Sequence, residues 1–209
     1  MPVQLRFDTG LAGVEYVNRE LWRLATLDCC PLHPRGGCGF ARHGTYARKT
    51  PAGTRIARWY CRRGHCTFSL LPDHLAARFP GTLVEIERVV AAVESAPSLP
   101  ACVDALRPDP VSLPSALRWI GRRVAPVRAL LPLVVTMLPH LLQGCTPAIA
   151  AMRERLGVAS VLLWLRGGLS VQLPALARPV GFAHRRGDAA VRRSRHQQHM
   201  GRDPPSQAS

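Results

Sequence analysis

The stretch from Cys29 to Cys66 constrains this chain most, because it gathers five of the seven cysteines together with His33 and His65. Tetrahedral zinc takes four sulfur or nitrogen ligands, which thiolate and imidazole supply at neutral pH. The candidates fall in two groups, CCPLHPRGGCGF and CRRGHC. Between them run FARHGTYARK, TPAGT and RIARWY, a strand, a Pro/Gly turn and a strand. A hairpin with ligands at its base is the plan of a zinc ribbon. Neither group carries the usual C-x2-C pair. Cys30 and Cys38 are separated by seven residues, and Cys61 and Cys66 by four, with Cys61-x3-His65 in competition. The expected ligands are Cys30, Cys38, Cys61 and Cys66; His65, His33 and Cys29 are alternates, and the expected cofactor is zinc. The competing reading is that some of these thiols are small buried apolar groups.

Charge narrows the choice of partner. The formal net charge is +15, and Lys49 is the single lysine among 28 basic residues. Arginine's planar fork binds phosphate bidentately and stacks on bases. The charge is also uneven: residues 29–81 carry +8 and residues 111–177 carry +6, whereas residues 82–110 carry −3. A polyanion would therefore meet the cysteine-rich segment and the second half. Arg42, Arg48, Lys49, Arg55, Arg58, Arg62 and Arg63 are the expected phosphate contacts of the first region. Phe68 and Leu71 are expected to close a small core beside Trp59.

The stretch CGFARHGTYARK…RIARWYCRRGHCTFSLLPDHLA resembles the N-terminal zinc ribbons of bacterial transposases and of small transposase-associated proteins of unknown function. The matching residues are Cys38, Arg42, His43, Gly44, Tyr46, Tyr60, Cys61, Thr67, Phe68, Ser69, Leu71 and Pro72. The resemblance covers a quarter to a third of the chain. It implies a zinc-ribbon fold, a transposon setting, and DNA or a transposase as partner.

Elsewhere the pattern is helical. Val14, Val17, Leu21 and Leu24 suggest a short amphipathic helix in an N-terminal extension, residues 1–28. Thr82 to Glu85 is a capping box, and the Leu83, Ile86, Val90 and Val93 stripe predicts a helix ending near Pro97. Ser98 caps a short helix to Leu106, RPDPVS turns, and Ser112-Leu113-Pro114 opens a helix to about Val124. Residues 82–124 thus form a candidate helix-turn-helix, with Leu113, Leu117, Ile120 and Val124 inward and Ser115, Arg118, Arg122 and Arg123 offered to DNA. A weaker second copy spans 146–166, in a helix stopping at Gly157 and another over 158–166. The apolar run 124–142 contains Pro126, Pro132, Pro139, Arg128 and His140, which argues for a Pro-broken helical hairpin rather than a membrane span. From Arg178 to Ser209 a basic, disordered tail is expected.

The fold class expected is therefore α+β: a zinc ribbon at 29–81, then a mostly helical region at 82–177. Chemistry on a nucleic-acid backbone requires clustered carboxylates to hold two metal ions, and Glu154 is the sole acid from Val111 to Ala177. No G-x-S-x-G, phosphate loop or H-E-x-x-H is present. The reading is a non-catalytic DNA-binding protein. The alternative is a zinc-stabilised protein-interaction module whose apolar region, 124–165, docks a partner. The opening MPVQLRFDTG has no apolar run, so no signal peptide is expected, and a cytoplasmic bacterial setting is.

Overall fold

The computed structural model describes residues 3–11, 13–106 and 113–183. The fold is α+β. Four strands, β1 (Val3–Phe7), β2 (Ala41–Ala47), β3 (Arg55–Cys61) and β4 (Cys66–Pro72), form one sheet in the order β1-β4-β3-β2. The expected hairpin is β2–β3, antiparallel, and β3–β4 is antiparallel with Cys61 opposite Cys66. β1 runs parallel to β4, with Val3 beside Phe68 and Phe7 beside Pro72. This strand corrects the expectation of a merely helical extension over 1–28. VQLRF is too short to declare itself and acquires its partner 65 residues further on. The expected helix is only partly present, as α1 (Gly13–Asn18) and a single 3-10 turn, Leu21–Arg23, and its inward face is corrected: Val14 and Leu24 are exposed, and Tyr16, Trp22 and Ala25 are buried instead.

β4 explains why TFSLLP is so apolar. It is a central strand buried on both faces, so hydrophobic residues need not alternate. Phe68 and Leu70 face one core, with Tyr16, Trp22, Trp59 and three cysteines. Leu71 faces the other, with Ile56 and the helices. The expected pairing of Phe68 with Leu71 beside Trp59 is corrected accordingly: three residues apart on a strand, they point to opposite sides.

The helical half begins as expected. In α2 (Leu83–Ser95) the Thr82 hydroxyl accepts from Glu85 N–H while the Glu85 carboxylate accepts from Thr82 N–H, a complete capping box. In α3 (Leu99–Leu106) the Ser98 hydroxyl accepts from Ala101 N–H. The next helix departs from expectation. α4 (Leu113–Met137) runs straight through Val124, Pro126 and Pro132 for 25 residues, so no hairpin breaks it there. Each interior proline costs roughly 3 kcal/mol. Against this, Val124, Val127, Leu130, Leu131 and Val134 are all buried, and each such side chain contributes roughly 1.5–3 kcal/mol. The stripe wins. The break comes one proline later, at Leu138, where Pro139 opens the short α5 (Pro139–Leu142). No helix among the described residues is long and apolar enough to cross a membrane.

α6 (Ile149–Leu156) stops at Gly157, which takes the left-handed conformation (φ 64°) that a C-cap needs, and α7 (Val161–Gly168) starts at the Ser160 cap. Both N-termini are also served from α2. Ile149 N–H donates to the Glu94 carboxylate, at 3.1 and 2.9 Å. Val161 and Leu162 N–H donate to the fully buried Glu87. Seven residues apart, the two acids lie on one side of α2. Arg166 on α7 is fully buried; its Nη2 donates to Leu75 O (3.2 Å) and Pro179 O (2.9 Å), and its guanidinium covers Phe182. Pro179 through Phe182 are thus packed into the core, and ordered chain continues past the expected start of the tail at Arg178. The RPDPVS turn and residues 184–209 of that tail lie outside the described residues.

Candidate metal centre and basic surfaces

Cys30, His33, Cys38 and Cys61 bring their ligand atoms within 4.8 Å of one another and could hold a metal ion. The loop before β2 supplies three of the four. Cys30 and His33 close a tight turn, with His33 N–H donating to Cys30 O at 3.0 Å. The fourth, Cys61, ends β3. The two sides are tied by Arg63 N–H donating to Cys38 O at 3.2 Å. His33 Nδ1 lies 3.3 Å from Cys61 Sγ and 3.6 Å from Cys30 Sγ. Bonds of about 2.3 Å to sulfur and 2.0–2.1 Å to nitrogen in a tetrahedron separate such atoms by about 3.5 Å. Gly64 closes the turn behind Cys61, where its N–H donates to the Cys61 sulfur at 3.2 Å. A Cβ at this position would come within 2.8 Å of the exposed Leu32 side chain, which can move, and within 3.3 Å of that sulfur, so any larger residue crowds the Cys61 sulfur.

The electrostatics of the group favour a cation. Burial pushes the Cys30 thiol up, but hydrogen bonds from His33, from backbone N–H groups and from Cys61 outweigh it and bring the pKa down to about 7. Cys38 is pushed up to about 11, first by burial and then by hydrogen bonding and repulsion from the Cys30 and Cys61 sulfurs. Three buried sulfurs cannot all ionise beside one another unless a positive ion joins them. None of the seven cysteines forms a disulfide.

Three of the four expected ligands are therefore gathered, and His33, an alternate, stands where Cys66 was expected. Cys66 pairs across the sheet with Cys61 but lies outside the group. Cys29 is exposed. His65 sits in the 62–65 turn with φ 45°, and its Nδ1 is 3.3 Å from the Tyr60 hydroxyl. The spacing Cys30-x2-His33 was the available signal: two intervening residues are the separation with which one tight turn offers two ligands.

The expected phosphate contacts divide by environment. Lys49, Arg55, Arg62 and Arg63 are exposed. Arg42 is exposed as well, stacked on Trp59 and donating to the carbonyls of Trp22 and Arg23. Arg48 is half-buried and donates to Ala76 O and Phe79 O, tying the β2 end to the β4–α2 loop. Arg58 lies over the Tyr46 ring. On α4, Arg118 and Arg122 are exposed and Arg123 lies over Trp119, 4.0 Å from its centroid. Of the inward set, Ile120 and Val124 are buried, Leu117 is half-buried, and Leu113 is exposed with Ala116 in its place. In the second helix pair, the Trp164-Leu165-Arg166 end belongs to the core, because Arg166 is fully buried.

Sequence reasoning missed His74. It lies with Asp73 beyond the carboxyl ends of the parallel strands β1 and β4, on a cleft of about 520 Å³ that Thr9, Gly10 and Thr82 also line. The residue is 7% exposed, and neither ring nitrogen has a hydrogen-bond partner among the described residues. Burial, then Arg48 and Arg166, push its pKa down to about 4. Asp73 is held by Arg6 through Nε at 2.9 Å and Nη2 at 2.7 Å.

Fold and site together define a class: a small α+β protein with a Cys3His group, able to hold a metal ion, at the base of its sheet. No family model, curated protein or solved structure matches the chain.

Proposed function

We propose that this is a non-catalytic, zinc-bound DNA-binding protein of transposon-associated type, whose metal end grips the phosphate backbone. One observation carries the reading. The loops that supply the ligands also carry exposed arginines: Arg35 between His33 and Cys38, and Arg62 and Arg63 directly after Cys61. A metal that fixes the loops fixes these cations, and arginine suits bidentate phosphate contacts. Three thiolates and an imidazole form a soft donor set suited to zinc, and four protein ligands close the tetrahedron as structural sites do.

Other features support binding over chemistry. Asp73, Glu87 and Glu94 are engaged in structural contacts with Arg6, Arg153 and helix N-termini. The transposon setting is supported by the sequence resemblance alone. Docking of the apolar 124–165 region on a partner is less favoured, since Val124, Val127, Leu130, Leu131, Val134, Met152 and Leu162 fill the chain's own core.

The test is fluorescence anisotropy of the zinc-loaded full chain with a duplex oligonucleotide over a salt series. Log affinity should fall linearly with log salt, and the double variant Arg62→Gln/Arg63→Gln should reduce that slope by about 2. Absent binding at low salt, or binding indifferent to salt, overturns the proposal.

A further inference from the structure

The end of the sheet beside the metal group carries rings as well as cations. Gly39 and Phe40, directly after Cys38, and Arg62, directly after Cys61, line an open cleft of about 420 Å³ together with His43 and Tyr60. No carboxylate is among its described lining residues. The backbone brings the two rings together. Ala41 on β2 lies opposite Tyr60 on β3, and the register shifts between Arg42 and Thr45, with Gly44 at φ 71°. A bulge of this kind bends the strand and re-aims a side chain. His43 sits within it, its ring centroid 5.6 Å from that of Tyr60 and the two planes inclined by 41°. Tyr60 is held in turn, its hydroxyl 3.3 Å from His65 Nδ1. Phe40 meets Phe68 edge-on at 5.9 Å, which anchors the loop to the sheet. The Arg62 stem runs past Gly39, where the missing side chain leaves it room. Arg42 also lines the cleft, but its guanidinium is engaged with Trp59 and two carbonyls. His43 and Arg62 are exposed and Tyr60 is half-buried, so a ring pair and a cation reach solvent together.

We propose that this cleft takes an unpaired nucleobase, stacked on the His43–Tyr60 pair, with Arg62 on the adjoining phosphate. The inference rests on the nucleic-acid reading above and adds its substrate class: a single strand, or a duplex that is opened locally. Rings beside a cation hold single strands, because every base offers a π-face and every phosphate a charge. In an intact duplex those faces are covered by neighbouring bases, so stacking on a protein ring requires a base that has left the helix. Histidine and tyrosine are both among the side chains on which unstacked bases lie. Gly39 and Arg62 each follow a member of the metal group, so an ion bound there fixes the residues that frame the opening.

The test is fluorescence anisotropy of the zinc-loaded full chain with labelled oligo-dT, set against a duplex of oligo-dT with oligo-dA of equal length. His43 is exposed, so His43→Ala and His43→Phe should both fold, which circular dichroism checks. His43→Ala should bind the single strand at least about fivefold more weakly than wild type, the low end for losing one stacked base. His43→Phe keeps a ring and should stay within about twofold of wild type. The salt slopes of these two variants should agree, because they differ in a ring and not in charge. Duplex affinity should change less than about twofold in either variant, since an intact duplex offers no free base face. A smaller single-strand loss in His43→Ala, an equal loss in His43→Phe, or an equal loss on the duplex overturns the proposal. If duplex binding meanwhile falls with salt and responds to Arg62→Gln/Arg63→Gln, the metal-end grip survives that failure. Absent or salt-indifferent binding of both single strand and duplex overturns the two together.

Discussion

Replacing Glu87 with glutamine keeps the shape of the side chain and should still cost several kcal/mol. The carboxylate is fully buried on α2. Its Oε1 accepts from Arg153 Nε at 2.7 Å and Val161 N–H at 3.0 Å; its Oε2 accepts from Ser160 Oγ at 2.6 Å and Leu162 N–H at 2.9 Å. Each oxygen thus serves two donors: in the Oε1 position a glutamine NH2 meets two donor-only groups, and in the Oε2 position it meets Leu162 N–H while the Ser160 hydroxyl can turn to accept. At least one hydrogen bond to a charged acceptor disappears, at about 1.5–3 kcal/mol, a buried N–H is left unpaired at about 1–3 kcal/mol, and the negative charge leaves the positive end of α7. A loss of about 3–5 kcal/mol follows from these terms together. Arg153→Met is the control. Its guanidinium is 37% exposed, and without it Glu87 keeps three of its four donors, so the expected cost is about 1 kcal/mol. The assay is urea unfolding of the metal-loaded protein, followed by circular dichroism at 222 nm and tryptophan fluorescence. With a urea slope of about 2 kcal/mol/M, Glu87→Gln should lower the midpoint by about 1.5 M or more. Stability within about 1 kcal/mol of wild type for Glu87→Gln, or equal damage from Arg153→Met, refutes the account of Glu87 as the cap of α7.

Two further outcomes are expected. His33→Ala should abolish stoichiometric zinc in purified protein, whereas Cys66→Ser should retain it, since the Cys3His group contains the first and not the second; elemental analysis of both decides, and zinc lost only from Cys66→Ser would restore the all-cysteine set. His74 sets a pH dependence. Its pKa falls to about 4 on folding from an ordinary 6.5, so between those values the unfolded chain takes up the proton first. Stability should drop as pH falls through 6.5 and level off below about 4, by roughly 3 kcal/mol in all. His74→Gln should lack that component, so the wild-type advantage in urea melts should shrink from pH 7 to pH 4; a constant difference would contradict it.

The fold was legible wherever local chemistry decides it. The Thr82–Glu85 box, the Ser98 cap and the Gly157 stop involve residues within a few positions of one another, and each is where the spacing puts it. Where distant partners decide, the sequence is mute. β1 becomes a strand because β4 lies beside it, and Pro126 and Pro132 are carried inside α4 because the buried stripe outweighs them. Glu87 and Glu94 have no local partner in the sequence that would mark them. Their role appears only when α6 and α7, more than 50 residues later, bring N–H groups to them.

The candidate site divides along the same line. Thiol content and the hairpin between two cysteine groups locate the centre, and Cys30, Cys38 and Cys61 follow from that. The fourth ligand depends on which turn is tight. Counting from Cys61 favours Cys66, because both lie at the base of β3–β4, yet the residues between them are used in closing that turn around the Cys61 sulfur, with Gly64 N–H as its donor. Counting from Cys30 gives His33, three residues on, where backbone pairing of the same two residues folds the imidazole back onto the thiols. A metal held this way locks the 30–38 loop to the end of β3. It thereby couples Arg35, Arg62 and Arg63 to metal occupancy, so the proposed grip on DNA predicts that chelation lowers the anisotropy of a labelled duplex even where the helical half stays folded.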